Sequence, residues 1–291
     1  MPPERASTNV YAVSRRPGPV DRVRQVWQYR ELLVNLTRKE LKVKYKDSFL
    51  GFLWSLLNPL LYLVVFSLVF AGLLRSDIPY FAIFLLSGLL VWNLFNTGLS
   101  GSCGSIVMNA SLVQKVWFPR EILPLASIGA SMVHFALQLI VLTLALLAFQ
   151  HGPAWSYLPL VVPALAVLVL WTAAFGLALS AINVYLRDTQ HLLELLLLAW
   201  FWMTAIVYPF RLIELQLGEW AKIAFINPVL IIVLTFQQAI YNPDPGVVML
   251  QERSAAWFLA LLGVSGLMAV VALVAALWLF GRLEDNLGEE I

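Results

Sequence analysis

Few side chains in this 291-residue chain have the type and spacing to do chemistry. His134 and Gln138 stand one helical turn apart inside an apolar run. That pairing suits an interhelical hydrogen bond, with a proton relay or a substrate contact as the sharper alternative. Glu194 lies about one turn inside another apolar run, shallow enough to reach water or to pair with Arg187. His151 and His191 are far from His134, and no metal-ligand spacing joins the three. There is no Gly-x-x-x-x-Gly-Lys-Ser/Thr loop to cradle nucleotide phosphates, no His-Glu-x-x-His, no Asp-x-Asp and no Gly-x-Ser-x-Gly. Cys103 is the only cysteine, so an intrachain disulfide is excluded. An enzyme would have to work with Glu194 and His134 alone. An ion-coupled transporter would lack the chain of acids that a proton relay needs. What remains is a channel-forming subunit that takes its energy from another chain.

Two other stretches carry recognition chemistry. Residues 109–124 read NASLVQKVWFPREILP. Gln114, Lys115, Arg120 and Glu121 surround the apolar trio Val116, Trp117 and Phe118, and Pro119 breaks the run. A fully solvated loop has no use for Val-Trp-Phe. The residues fit an aromatic anchor in the lipid interface and a plug in a partner's groove equally well. Residues 183–190 hold Arg187-Asp188, either a local ion pair or a second partner contact.

The elements that position these stretches follow from composition and charge. Sixty per cent of residues are hydrophobic, 12% are charged and mean hydropathy is +0.81. Soluble domains carry about 25% charged residues. Several apolar runs exceed the ~18 residues that mark a transmembrane helix. The chain reads as an all-α integral membrane protein. Over residues 25–47, Tyr29, Leu32, Leu33, Leu36 and Val43 fall on one arc of a helix. Arg30, Arg38, Lys39, Lys42 and Tyr45 belong to the same basic amphipathic element, suited to a membrane surface with anionic headgroups. Residues 1–47 hold 11 of the 19 Lys/Arg but only 5 of the 17 acids, which places the N-terminus in the cytoplasm. Residues 1–24 read as a disordered tail with no signal-peptide apolar segment, and 283–291 as an acidic tail.

Six spans are expected, near 49–74, 80–99, 122–149, 158–181, 191–208 and 255–280. Both termini are then cytoplasmic. Between the last two, Asn227-Pro228 interrupts an apolar run, and two short re-entrant helices fit better than a seventh span. The cluster GLSGSCGS at 98–105 permits close helix packing or a hinge. Tyr62, Phe66 and Phe70 recur every four residues on the first span, and Trp92 and Phe95 sit on the second. Such faces either pack against helices or stack on sugar C–H faces along a conduit.

Several of these residues resemble a known family. Arg38-Lys39-Glu40-Leu41-Lys42-Val43-Lys44-Tyr45, with Ser48, Leu50-Gly51, Trp54 and Asn58-Pro59, is similar to the start of ABC-2 type permeases for polysaccharide export. Leu112 to Pro124 resembles the segment with which those permeases meet their ATPase, and Arg187-Asp188 and Asn227-Pro228 match family pairs. The resemblance covers about 28–282 and implies a transmembrane domain over 48–282 in a bacterial plasma (inner) membrane. It implies a homodimer with two copies of an ABC ATPase subunit, which holds the ATP and Mg; this chain holds no cofactor and no metal. Residues 114–121 would couple to that ATPase, residues 211–240 would form gate helices around Asn227 and Pro228, and the cargo would be a polyprenyl-diphosphate-linked polysaccharide such as O-antigen, teichoic acid, capsule or galactan. Membrane lipids are the other implied partner, and nucleic acid is not one. The competing expectations are an ABC-2 permease for a drug or lipid, and a membrane enzyme acting on lipid-linked sugars.

Overall fold

The computed structural model describes residues 18–46, 53–73, 78–241 and 253–284. No strand occurs among the described residues. Two short helices come first, α1 (Pro19–Gln28) and α2 (Arg30–Tyr45). Pro19 at the first helical position pre-sets φ, and Asp21 in the first turn accepts from the Gly18 N–H at 3.3 Å. α3 (Trp54–Ser67) contains Pro59 and widens into π-helical turns over Leu68–Leu73. α4 (Phe81–Met108), α5 (Ala110–Lys115), α6 (Ile122–Ala148) and α7 (Val161–Tyr185) follow. Then come α8 (Thr189–Trp202), α9 (Phe210–Leu217) with a 3-10 stretch over Gly218–Ile226, α10 (Pro228–Phe236) with π-helical turns to Tyr241, and α11 (Ala255–Leu283).

α4 is buried along most of its length and is the axis of the fold. It packs on α6 and α7, and α11 packs on the far side of α7. The Gly/Ser stretch makes the close approach possible: a Cβ on Gly98 would stand 2.9 Å from Thr172 Cγ2. The 98–105 cluster is therefore a packing surface. α3, α8 and α11 instead turn long apolar faces outward, with Leu61, Leu195, Leu196, Leu267 and Val271 all more than 60% exposed. Contiguous apolar surface of that extent is costly in water and natural in lipid.

Four described helices are long and apolar enough to cross a membrane: Phe81–Met108, Ile122–Ala148, Leu158–Tyr185 and Ala255–Leu283. The pair Phe210–Ile226 and Pro228–Tyr241, bent by 106°, makes a fifth if it counts as one broken span. Six spans were expected. The span expected over 191–208 stops being helical at Trp202, because turns follow and Ala205 adopts φ +52°. Fourteen residues at 1.5 Å each reach about 21 Å, short of a ~30 Å hydrocarbon core.

The N-terminal expectations also change. Residues 19–24, assigned to a disordered tail, belong to α1, and Arg22 there is 4% exposed. The single surface helix is two helices that break at Tyr29 (φ −93°, ψ 21°). α2 lies against α6 through Leu33, Leu36 and Thr37, whose Oγ1 donates to the Ala126 carbonyl at 3.4 Å, while Val43 of the expected apolar arc is 63% exposed. The junction at 47–52, residues 1–17 and the acidic tail beyond Glu284 lie outside the described residues.

Candidate docking platform and membrane groove

At the end of the bundle that carries α1 and α2, a second apolar cluster joins Leu36, Val113, Phe118, Ile122, Val184 and Phe280. It gathers α2, the 109–124 segment and the last turns of α7 and α11. On it sits a set of buried charges. The Arg22 guanidinium contacts the Glu121 carboxylate and reaches Glu284 Oε2 at 2.7 Å. Arg120 donates to the Glu284 carbonyl at 2.7 Å, and Tyr185 donates its hydroxyl proton to the Leu283 carbonyl at 2.6 Å. Burial alone would lower the Arg22 pKa, but Glu121 and Glu284 outweigh it and hold the guanidinium above its ordinary value. Burial, and then the Glu284 charge, push the Glu121 carboxyl above the usual carboxylate range. Two carboxylates thus compete for one shared cation. Gly281 leaves the space for it: a Cβ there would stand 2.9 Å from Arg22 Nη2.

This set fixes the loop that sequence singled out. Asn109 closes α4, donating to the Ser105 carbonyl and accepting from Lys39 Nζ, both at 2.8 Å. Gln114, Lys115 and Val116 are then exposed, and Trp117 is 78% exposed with its ring 6.3 Å from Tyr29. Phe118 goes the other way and is 4% exposed, with Pro119 and Glu121 also buried. The expected exposed trio is therefore an exposed Val116-Trp117 edge on a buried Phe118 root. Arg30, Arg38, Lys39 and Lys42 are exposed on α2, and the Tyr45 side chain lies outside the described residues. Arg187 and Asp188 are exposed just before α8, and neither has an ion pair among the described residues; Glu194 lies 3.9 Å from His191 Nδ1, not beside Arg187.

Farther along the bundle, a groove of about 430 Å³ opens between α3, α4 and α8. Tyr62, Phe66 and Trp92 line it with Asn93, Asn96 and Glu194. Tyr62 and Phe66 stack with ring centroids 6.1 Å apart, presenting a flat aromatic wall. Phe95 is not part of that wall: it is fully buried against Phe175 and Trp200. The Phe70 side chain lies outside the described residues. His134 and Gln138 face a separate cavity, between α2, α3, α4 and α6.

At the opposite end the Asn227-Pro228 break is fully hydrogen-bonded. Asn227 Oδ1 accepts from the Val229 N–H at 3.0 Å, capping α10, and from Trp200 Nε1 at 2.8 Å. Its Nδ2 donates to Thr204 Oγ1 at 3.1 Å and the Met203 carbonyl at 3.4 Å. α10 beyond it is buried over its whole length.

Residues 31–241 match the ABC-2 type transporter family. The chain belongs to that family. Among its relatives, the O-antigen export system permease protein RfbA of Myxococcus xanthus is 36% identical over 220 residues, 76% of this chain and 84% of the relative. The protein of the same name from Klebsiella pneumoniae is 30% identical over 213 residues, 73% and 81% of the two chains. The polysialic acid transport protein KpsM of Escherichia coli is 23% identical over 209 residues, 69% and 78%.

The ABC-2 match begins at residue 31, beyond Arg22. Arg22, Glu284 and Asn109 were missed in the sequence. Arg22 pairs with Glu121 across 99 positions and with Glu284 from still farther along the chain, and no local pattern announces such contacts. Asn109 carried one signal, as an amide at the end of a Gly/Ser-rich helix.

Proposed function

We propose that this chain is the permease subunit of an ATP-driven exporter that moves a polyprenyl-diphosphate-linked cell-envelope polysaccharide out of the cytoplasm. The single observation that carries this reading is the groove between α3, α4 and α8. Tyr62 and Phe66 line it beside the polar Asn93, Asn96, Ser100 and Glu194, with Leu89, the buried Trp92, Leu197 and Leu198 among its apolar lining. A moving sugar polymer needs weak, repeated contacts: aromatic faces for C–H surfaces and amides for hydroxyls. The relatives' names support the cargo class.

In this reading six spans cross a bacterial inner membrane, α3 with its π-helical turns providing the first and α8 with the turns that follow it to Tyr208 the fifth, with both termini in the cytoplasm. The bent pair around Asn227 re-enters from the outer side and acts as a gate. The groove is open along exposed α3 and α8, so a second copy of the chain closes it into a conduit. The Val116-Trp117 edge, flanked by Gln114 and Lys115, docks on a separate ATPase that holds ATP and Mg, two copies per dimer. α2 lies at the interface above it, and Arg187-Asp188 adds a second contact. The chain itself hydrolyses nothing.

The test is export in cells that carry the Tyr62→Ala/Phe66→Ala variant beside the cognate ATPase. Export should fall severalfold while the permease–ATPase complex purifies at wild-type yield. Unchanged export would remove the groove from the transport path.

A further inference from the structure

The cavity that holds His134 is not explained by transport through the groove. It measures about 300 Å³ and lies where the surface helix α2 meets α3, α4 and α6. Trp54, Leu57 and Leu61 of α3 form one apolar wall, and Lys44 stands at the α2 edge. Among the described residues that line it there is no Asp or Glu. Lys44 makes no ion pair within the described residues. Lys44 is exposed at the cavity's edge; the protein packed beside it pushes its ammonium below the ordinary lysine value, and Glu40 one turn earlier offsets part of that shift. Asn93, on the α4 wall, has a buried Nδ2 with no acceptor among the described residues. A cation and an amide donor in reserve therefore share a cavity whose other wall is hydrocarbon. An ammonium at the mouth of a cavity without acids draws an anion, and a phosphate oxygen satisfies ammonium and amide together. The apolar wall at the junction of surface helix and span suits an acyl or prenyl chain.

We propose that this cavity binds the phosphate of an anionic lipid, Lys44 pairing with its charge, Asn93 donating to it, and the chain lying along Trp54, Leu57 and Leu61. The site is separate from the groove across Asn93 and does not depend on what the groove carries. Two sources share the chemistry: a membrane phospholipid such as phosphatidylglycerol, and a polyprenyl phosphate carrier.

The experiment is native mass spectrometry of the full-length permease, purified without an ATPase and titrated in turn with phosphatidylglycerol, undecaprenyl phosphate and phosphatidylcholine. Wild type should retain at least one of the two anionic lipids in preference to phosphatidylcholine, and the one retained identifies the source. Lys44→Gln should weaken that retention about tenfold, the loss of one charge-assisted contact, and Lys44→Arg should restore most of it. Lys222→Gln, an exposed lysine off the cavity, should leave retention unchanged. Leu57→Trp, which fills the cavity without touching charge, should also displace the lipid. Equal retention of phosphatidylcholine, or equal losses in Lys222→Gln and Lys44→Gln, would overturn the site. Because no ATPase or glycan takes part, failure here is distinguishable from failure of the export reading.

Discussion

Replacing Arg22 by Met tests whether the platform is held by charge or by packing. Arg22 is 4% exposed and the Glu121 side chain 2%. Met keeps most of the side-chain volume and removes the cation, so Glu121 stays buried beside the Glu284 carboxylate with no counter-charge. Removing one partner of a buried ion pair costs about 3–5 kcal/mol, because the other charge is left uncompensated. Glu121 has a way to limit that cost. Burial and Glu284 already raise its pKa, so without Arg22 it takes up a proton more readily in the folded state than in the unfolded one. A carboxyl with a raised folded pKa contributes its stability below the unfolded value and loses it as pH rises through the folded value. The Arg22→Met defect should therefore be mild in acid and grow toward neutral and alkaline pH. Adding Glu121→Gln should flatten that dependence and recover about half the loss, a double-mutant cycle with strong coupling. The assay is survival of the monodisperse detergent-solubilised protein after heating, at several pH values. A cost under about 1 kcal/mol at neutral pH, or two additive substitutions, would refute the reasoning.

Trp117→Ala and Phe118→Ala should separate docking from folding. The first removes a side chain 78% exposed, so thermal stability should hold within ~0.5 kcal/mol while ATPase pull-down falls at least about tenfold. The second empties a site in the apolar cluster and should cost about 3–5 kcal/mol in the same heating assay. Asn227→Ala deletes the α10 cap and the bonds from Trp200 and to Thr204, and should destabilise by about 2–3 kcal/mol. Asn227→Asp keeps the two acceptor contacts and should recover part of that in melting experiments.

Much of the architecture was legible because it is local. Asn227-Pro228 interrupts an apolar run, and the 106° bend falls there, whereas Asn58-Pro59 is accommodated inside α3. A Gly/Ser stretch on a largely apolar helix marks close packing, and α4 meets α6 and α7 along it. The rest depends on distant partners. Trp117 and Phe118 are neighbours with the same chemistry, and only Val113, Ile122 and Phe280 decide which one is buried. Arg22 sits among Pro, Arg and Ser residues that read as a disordered tail, and its partners lie at Glu121 and Glu284. Hydropathy continues smoothly past Trp202, so the end of α8 follows from backbone that Asn227 ties down, not from any change in polarity.

Docking on a cytoplasmic ATPase requires the Val116-Trp117 edge to face the cytoplasm. Cys103, the native cysteine, is fully buried, so a Trp117→Cys variant offers one reactive thiol. A membrane-impermeant maleimide should label it in inverted membrane vesicles and leave it untouched in intact cells, with the cognate ATPase protecting it in the vesicles. Labelling from outside intact cells would contradict the orientation, and the proposed docking with it.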